Sequence, residues 1–230
     1  MSIDLLELAA VRLAPLLDEL VFVGGATIAL WVTEPAAPPA RVTDDVDLIC
    51  DALSYAEYAA LSERMRALSF REDEESGVIC RWKHGDGLVV DLMPQSREVL
   101  GFSNRWYAEA MASAIARKLP SGAVIRAVSP ALTIATKLEA WRGRGNNDVV
   151  RSLDVHDIVV LLNGRPELTH EIAESRDDVR SDVVVGIADL LADPYFDYVI
   201  EDAVKSYGAA APDRTTYVRE RAEQLAALIS

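Results

Sequence analysis

Asp45 and Asp47 of "TDDVDL" stand two residues apart in an otherwise apolar run, and Asp91 interrupts a second apolar run, "GLVVDLMP". Alternate residues of a strand share a face, so Asp45 and Asp47 would project together, about 6.6 Å apart. Bare carboxylates that close raise each other's pKa and weaken the strand, and a cation between them removes the penalty. If the strand of Asp91 lies beside theirs, three carboxylates converge, a donor set suited to two magnesium ions. Gly24 and Gly25 follow the apolar "LVFV" and precede "ATIALWV". Glycines at a strand-to-helix turn let a phosphate approach the backbone, where the helix amino terminus offers free N–H groups. Singly, an Asp-x-Asp is what an exposed strand end looks like and a glycine pair is what a tight turn looks like; their succession in one chain is what points to chemistry.

The elements that must position these residues change character once along the chain. Short β-rich runs ("LVFVGG", "DVDLIC", "GVICRWKH", "GLVVDLMP", "GAVIRAVS") alternate with helical stretches ("LSYAEYAALSERMRALSF", "NRWYAEAMASAIARKL") up to residue 128. Beyond Ser129, a fitting N-cap, and Pro130, a fitting first helical residue, the pattern is almost wholly helical. The expectation is an α+β protein, a mixed sheet with flanking helices over 1–128 followed by a helical part over 129–230. On the helix "TIATKLEAW", Lys137 sits among apolar residues, where its ammonium must reach solvent or find an anion. Asp154 and Asp157 lie three apart on a later helix and so share a face, as a solvated pair would.

The order of a glycine pair, an apolar helix, R-x-T-x-D-x-D on a strand and a further aspartate on a later strand resembles the nucleotidyltransferases of the DNA polymerase beta superfamily. More narrowly, "FVGGATIALW" with "RVTDDVDL", then "TKLEAWRGR" and "SLDVHDIVVLL", is similar to the AbiEii and MenT-type toxin nucleotidyltransferases of bacterial type IV toxin–antitoxin systems, over roughly Phe22 to Leu162. The resemblance implies a polymerase beta-like sheet and transfer of a nucleoside monophosphate from an NTP to an acceptor hydroxyl with Mg2+. It implies that Gly24 and Gly25 hold the triphosphate tail and that Asp45 and Asp47 bind metal. Asp91 matches the third acid of the wider superfamily, Lys137 the lysine that meets the triphosphate, and Asp154 the acid opening the later helix. Many relatives carry serine where this chain has Gly25, so Thr27 or Thr43 would supply the hydroxyl here. The implied acceptor is RNA, a tRNA end above all, and the implied protein partner is a cognate antitoxin. The helical part would complete the active-site cleft.

Composition bounds the alternatives. A net charge of -14 over 230 residues excludes general affinity for nucleic acid or anionic membrane. The basic residues concentrate mid-chain, including Arg64, Arg66, Arg71, Arg81, Lys83, Arg117, Arg126, Arg142, Arg144 and Arg151, which leaves room for a local acceptor surface. Arg142, Arg144 and Arg151 flank a glycine-containing loop and serve equally as solvated charges or as its acceptor rim. The acidic surface better suits a second class, transfer to a small molecule such as an antibiotic; a third is an inactive nucleotide- or antitoxin-binding module. Apolar runs fall short of the ~20 residues of a membrane span and the amino terminus carries acids, so a cytoplasmic protein is expected. Cys50 and Cys80 read as buried thiols, Trp106, Tyr107 and Trp141 as packing, and His84, His156 and His170 lack zinc-ligand spacing.

Overall fold

The computed structural model describes residues 2–35, 37, 40–143 and 147–228. The chain divides into two compact units, residues 1–30 with 41–129, and residues 31–40 with 130–230.

In the first unit a helix, α1 (Ser2–Arg12), leads to strand β1 (Leu20–Val23). A 3-10 turn over Gly25–Thr27 and one turn of helix, α2 (Ile28–Trp31), follow. Then come β2 (Val46–Cys50), α3 (Tyr55–Ala67), β3 (Phe70–Glu72), β4 (Arg81–His84), β5 (Val89–Pro94), α4 (Arg97–Leu100), α5 (Tyr107–Ala112), β6 (Ile115–Lys118) and β7 (Val124–Ala127). The strands form one seven-stranded mixed sheet in the order β3-β4-β5-β2-β1-β7-β6. β2 is central: antiparallel to β1, with Val23 opposite Asp47, and parallel to β5, with Asp47 opposite Asp91. A strand buried on both faces needs an apolar run, and Leu20, Val21 and Phe22 of β1 with Leu48 and Ile49 of β2 are fully buried.

Two strands depart from the sequence expectation. The stretch ending in Phe70 reads as one helix, yet α3 closes at Ala67 and Ser69 takes a left-handed conformation (φ 68°), which turns the chain into β3. The start of α3 is capped reciprocally: the Ser54 hydroxyl accepts from the Glu57 amide, and the Glu57 carboxylate accepts from the Ser54 amide. The alanine-rich stretch after Trp106 likewise reads as helix throughout, but α5 stops at Ala112 and Ile115–Lys118 forms an edge strand paired with β7.

The second unit comprises α6 (Pro130–Gly143), α7 (Leu153–Gly164), α8 (Leu168–Ala173), α9 (Asp177–Ala192), α10 (Phe196–Val204) and α11 (Ala211–Ala226). Pro130 is the first residue of α6, as its missing N–H favours. The core draws Ile134, Ala135 and Leu138 from α6, Ile158, Val159 and Leu162 from α7, and Ile187 and Leu190 from α9. Segment 31–40 belongs here too. The Thr33 and Glu34 amides both donate to the Gly164 carbonyl, and Arg165 Nη1 donates to the Trp31 carbonyl at 2.8 Å. No helix among the described residues is long and apolar enough to cross a membrane.

Candidate active site

Strand pairing assembles the acids. Asp47 on β2 and Asp91 on β5 are register partners in a parallel pair, so their side chains share one face of adjacent strands. Asp45 lies one residue before β2 begins rather than within the strand. The turn after β1 comes against this row. Gly24 has φ 77°, and a Cβ built there would stand 1.8 Å from Asp47 Oδ2, so only glycine admits the carboxylate. At Gly25 a Cβ would meet Arg41 Nη2 at 2.6 Å and Thr43 Cγ2 at 2.8 Å. Arg41 is thus a cation beside the glycine turn to which sequence reading assigned no role.

The cation that the paired acids require is present within the protein. Arg81, opposite Asp91 in the β4–β5 pair, donates from Nε to Asp91 Oδ1 and from Nη2 to Asp91 Oδ2, both at 2.8 Å. The same Nη2 donates to Asp45 Oδ2 at 2.6 Å. Bidentate pairing of this kind is the strongest form of charged hydrogen bond. The hydrogen bonds to Asp91 lead in holding the Arg81 pKa above the ordinary arginine value. Sequence reading counted Arg81 only among the mid-chain basic residues. Its partnership follows from the β4–β5 register, which no local pattern encodes.

The glycine turn differs from the expected helix amino terminus, because a three-residue 3-10 turn and a four-residue helix stand there. The Thr27 hydroxyl donates to the Gly24 carbonyl at 2.8 Å, and its residue is fully buried. Thr43 Oγ1 is buried with no hydrogen-bond partner among the described residues. A buried orphan hydroxyl costs stability until something bonds to it, and its methyl group lies beside Gly25.

A second charged cluster belongs to the helical unit. Lys137 Nζ of α6 lies 2.9 Å from Asp154 Oδ1 and 2.7 Å from Asp157 Oδ2, both of α7. The side chains are 7, 10 and 1 % exposed, so Lys137 meets anions rather than solvent, and Asp154 and Asp157 are not a solvated pair. Ser152 positions them by capping α7, its hydroxyl accepting from the Val155 amide. Burial pushes the Lys137 ammonium down, but the charges of Asp157 and Asp154 together outweigh it and leave its pKa above the ordinary lysine value.

Many mid-chain basic residues are engaged by carboxylates: Arg64 by Glu19, Arg66 by Glu63 and Glu72, Lys83 by Asp73, and Arg142 by Asp182 and Asp189. Arg126 and Arg117 donate to backbone carbonyls. Arg144 lies outside the described residues. Cys50 and Cys80 are free, buried thiols, both pushed up to about 12, with desolvation first among the causes and the charges of Asp91 and Asp47 next for Cys80. Trp106, Tyr107 and Trp141 are buried.

The family described as nucleotidyl transferase AbiEii toxin, type IV toxin–antitoxin system, matches residues 8–194. The chain belongs to this family. No curated protein matches the chain. As an AbiEii nucleotidyltransferase it is a transferase with the mixed-sheet α+β fold expected of the class, which acts on nucleotides and generally uses a divalent metal. The chemistry of the donor set fits such an ion, since Asp47 and Asp91 on paired strands and Asp45 just ahead of β2 offer only carboxylate oxygens. As they stand, among the described residues no three His, Cys, Asp or Glu side chains are arranged to hold a metal ion; Arg81 takes oxygens of Asp45 and Asp91 instead.

Proposed function

We propose that this AbiEii-family chain transfers a nucleoside monophosphate from an NTP to a terminal hydroxyl of RNA, a tRNA end above all, and that an antitoxin restrains it. The observation that carries the proposal is the row of Asp47 and Asp91 in register beside the Gly24 turn, within the matched residues. In this reading Asp45 and Asp47, with Asp91 next to them, hold Mg2+, two ions in the full complement. The metal, when bound, draws charge from the triphosphate and lowers the pKa of the acceptor hydroxyl. The Gly24–Gly25 turn is assigned to the triphosphate tail, and the missing Cβ of Gly24 is what lets the Asp47 carboxylate stand beside it. Thr43, whose hydroxyl has no partner among the described residues, donates to a phosphate oxygen, while Thr27 braces the turn through the Gly24 carbonyl. The acceptor hydroxyl gives its proton to solvent as its oxygen bonds to the α phosphorus, the bond to the bridging oxygen breaks, and pyrophosphate leaves. Lys137 is assigned to charge on the triphosphate, with Asp154 and Asp157 fixing its ammonium.

The test is transfer itself: purified protein, each labelled NTP in turn, Mg2+ and total RNA, with Asp47→Ala beside the wild type. Label on RNA that disappears in a folded Asp47→Ala protein is the expected result, and full activity in that variant refutes the assignment. A second acceptor class, a small hydroxylated molecule, is favoured by the engagement of so many arginines with carboxylates, which leaves fewer cations for a phosphate backbone. RNA transfer that falls steeply with added salt supports the first class; absence of RNA labelling alongside labelling of a small aminoglycoside-like hydroxyl compound supports the second.

A further inference from the structure

Arg81 sits where a metal would act. Across three neighbouring strands Asp47, Asp91 and Arg81 stand in one row, since Asp47 is opposite Asp91 and Asp91 is opposite Arg81. The two ends of the guanidinium contact are unequal. Asp91, 11 % exposed, is gripped by two parallel hydrogen bonds, whereas Asp45, 32 % exposed, is held by one, from a nitrogen already committed to Asp91. Fixing a planar fork against a carboxylate needs both bonds together, so the Asp91 contact is the one that persists when a competitor arrives.

We infer that Arg81 is a resident counter-cation of the carboxylate site, which competes with a divalent ion for Asp45 and keeps Asp91 fixed. The inference rests on the reading of Asp45 and Asp47 as metal ligands. Asp45 and Asp91 stand together in the metal-free protein around one positive charge, and Arg81 supplies it. The same contact raises the free energy of binding a bare metal ion, because an oxygen of Asp45 must first leave Nη2. An ion that arrives with the triphosphate brings further oxygen ligands that offset this cost. Arg81 thereby couples metal binding to nucleotide binding, as a positioning residue without contact to the reacting atoms.

Mn2+ alone is the probe. Its affinity is measured by titration calorimetry and by the electron paramagnetic resonance of the free ion, for wild type, Arg81→Gln, and Arg81→Gln with Asp47→Asn. Melting in chelator is recorded for each. Release of Asp45 from one charge-assisted hydrogen bond is expected to tighten Mn2+ binding by roughly ten- to a hundredfold in Arg81→Gln. That variant melts lower in chelator and gains more from Mn2+ than the wild type does, and Asp47→Asn abolishes the gain. A structural role alone would lower the melting temperature without tightening Mn2+ binding. Equal or weaker Mn2+ binding by folded Arg81→Gln therefore overturns the inference, while Asp47-dependent binding in the wild type leaves the site reading standing. Absence of Asp47-dependent Mn2+ binding in both proteins, with nucleotide also present, overturns both. If Arg81→Gln does not fold in chelator, its Mn2+ affinity is measured on protein folded with Mn2+ and back-titrated with a competing chelator, on the same criterion.

Discussion

Lys137→Met should cost this protein more than any single surface change, and the geometry sets the scale. The ammonium is shared between Asp157 at 2.7 Å and Asp154 at 2.9 Å, and Asp157 is only 1 % exposed. Methionine nearly preserves the volume, so the loss is electrostatic: two carboxylates are left buried without a counter-charge. Removing one partner of a buried pair destabilises by about 3–5 kcal/mol. For a chain of this size that lowers the melting temperature by roughly 6–20 °C. Urea unfolding followed by circular dichroism gives the value directly. Adding Asp157→Leu and Asp154→Asn to Lys137→Met should recover most of it, because no charge then remains uncompensated. The pH dependence has a definite sign. A pKa raised on folding gives stability that is full below the ordinary lysine pKa and is lost as pH climbs through the higher folded value; the alkaline limb of wild-type unfolding should therefore become shallower in the triple variant, with the part due to the raised Cys50 and Cys80 thiols remaining. A Lys137→Met protein within about 1 kcal/mol of wild type would refute the buried-triad argument.

Gly24→Ala should destabilise by about 1–3 kcal/mol from its positive φ alone and abolish nucleotide use, because its Cβ would stand 1.8 Å from Asp47 Oδ2; a variant with wild-type melting and transfer would contradict the cradle. Asp86, accepting from His84 and Arg12, is held down to about 2 although desolvation, the largest influence, opposes this. Its contribution should be present above about pH 4 and fade as pH falls towards 2, so acid unfolding of Asp86→Asn should begin at higher pH than that of wild type. Cys50 and Cys80, with thiols near 12 and buried, should react with an aromatic disulfide at pH 8 only on unfolding, and rapid labelling of the native protein would show that the strands carrying them open readily.

The sheet strands that carry chemistry were legible because burial on both faces forces an apolar run around each functional residue, as in "LVFVGG" and "GLVVDLMP". β6 was not, since Ile115, Ala116 and Lys118 are all exposed and "IARK" carries no alternation to read. β3 contributes one buried residue, Phe70, at the end of a helical pattern. Arg81 and Asp157 show a different blindness. A charge in a strand or on a helix face reads as solvated until pairing across the fold supplies its partner, and that pairing is a property of register, not of neighbouring residues. The sequence offers Thr27 or Thr43 as the hydroxyl source, and the structure separates them: Thr27 is committed to the Gly24 carbonyl, while the buried Thr43 hydroxyl has no partner among the described residues.

Segment 31–40 is sewn into the helical unit although it is made between two strands of the sheet unit. Trp31 leaves the ribosome 134 residues ahead of Arg165, whose guanidinium donates to its carbonyl, a lag of roughly 7 to 27 s at ordinary elongation rates. During that interval the indole, buried to within 1 % in the finished protein, lacks the Arg165 guanidinium that lies 5.6 Å from its ring centre there. A shortened gene ending at residue 129 would leave Trp31, Thr33 and Glu34 without their hydrogen bonds to Gly164 and Arg165. The reciprocal fragment, starting at residue 130, would lack the strap that the Gly164 carbonyl secures, so the helical unit is a product of two separated stretches of message and is made whole only late in synthesis.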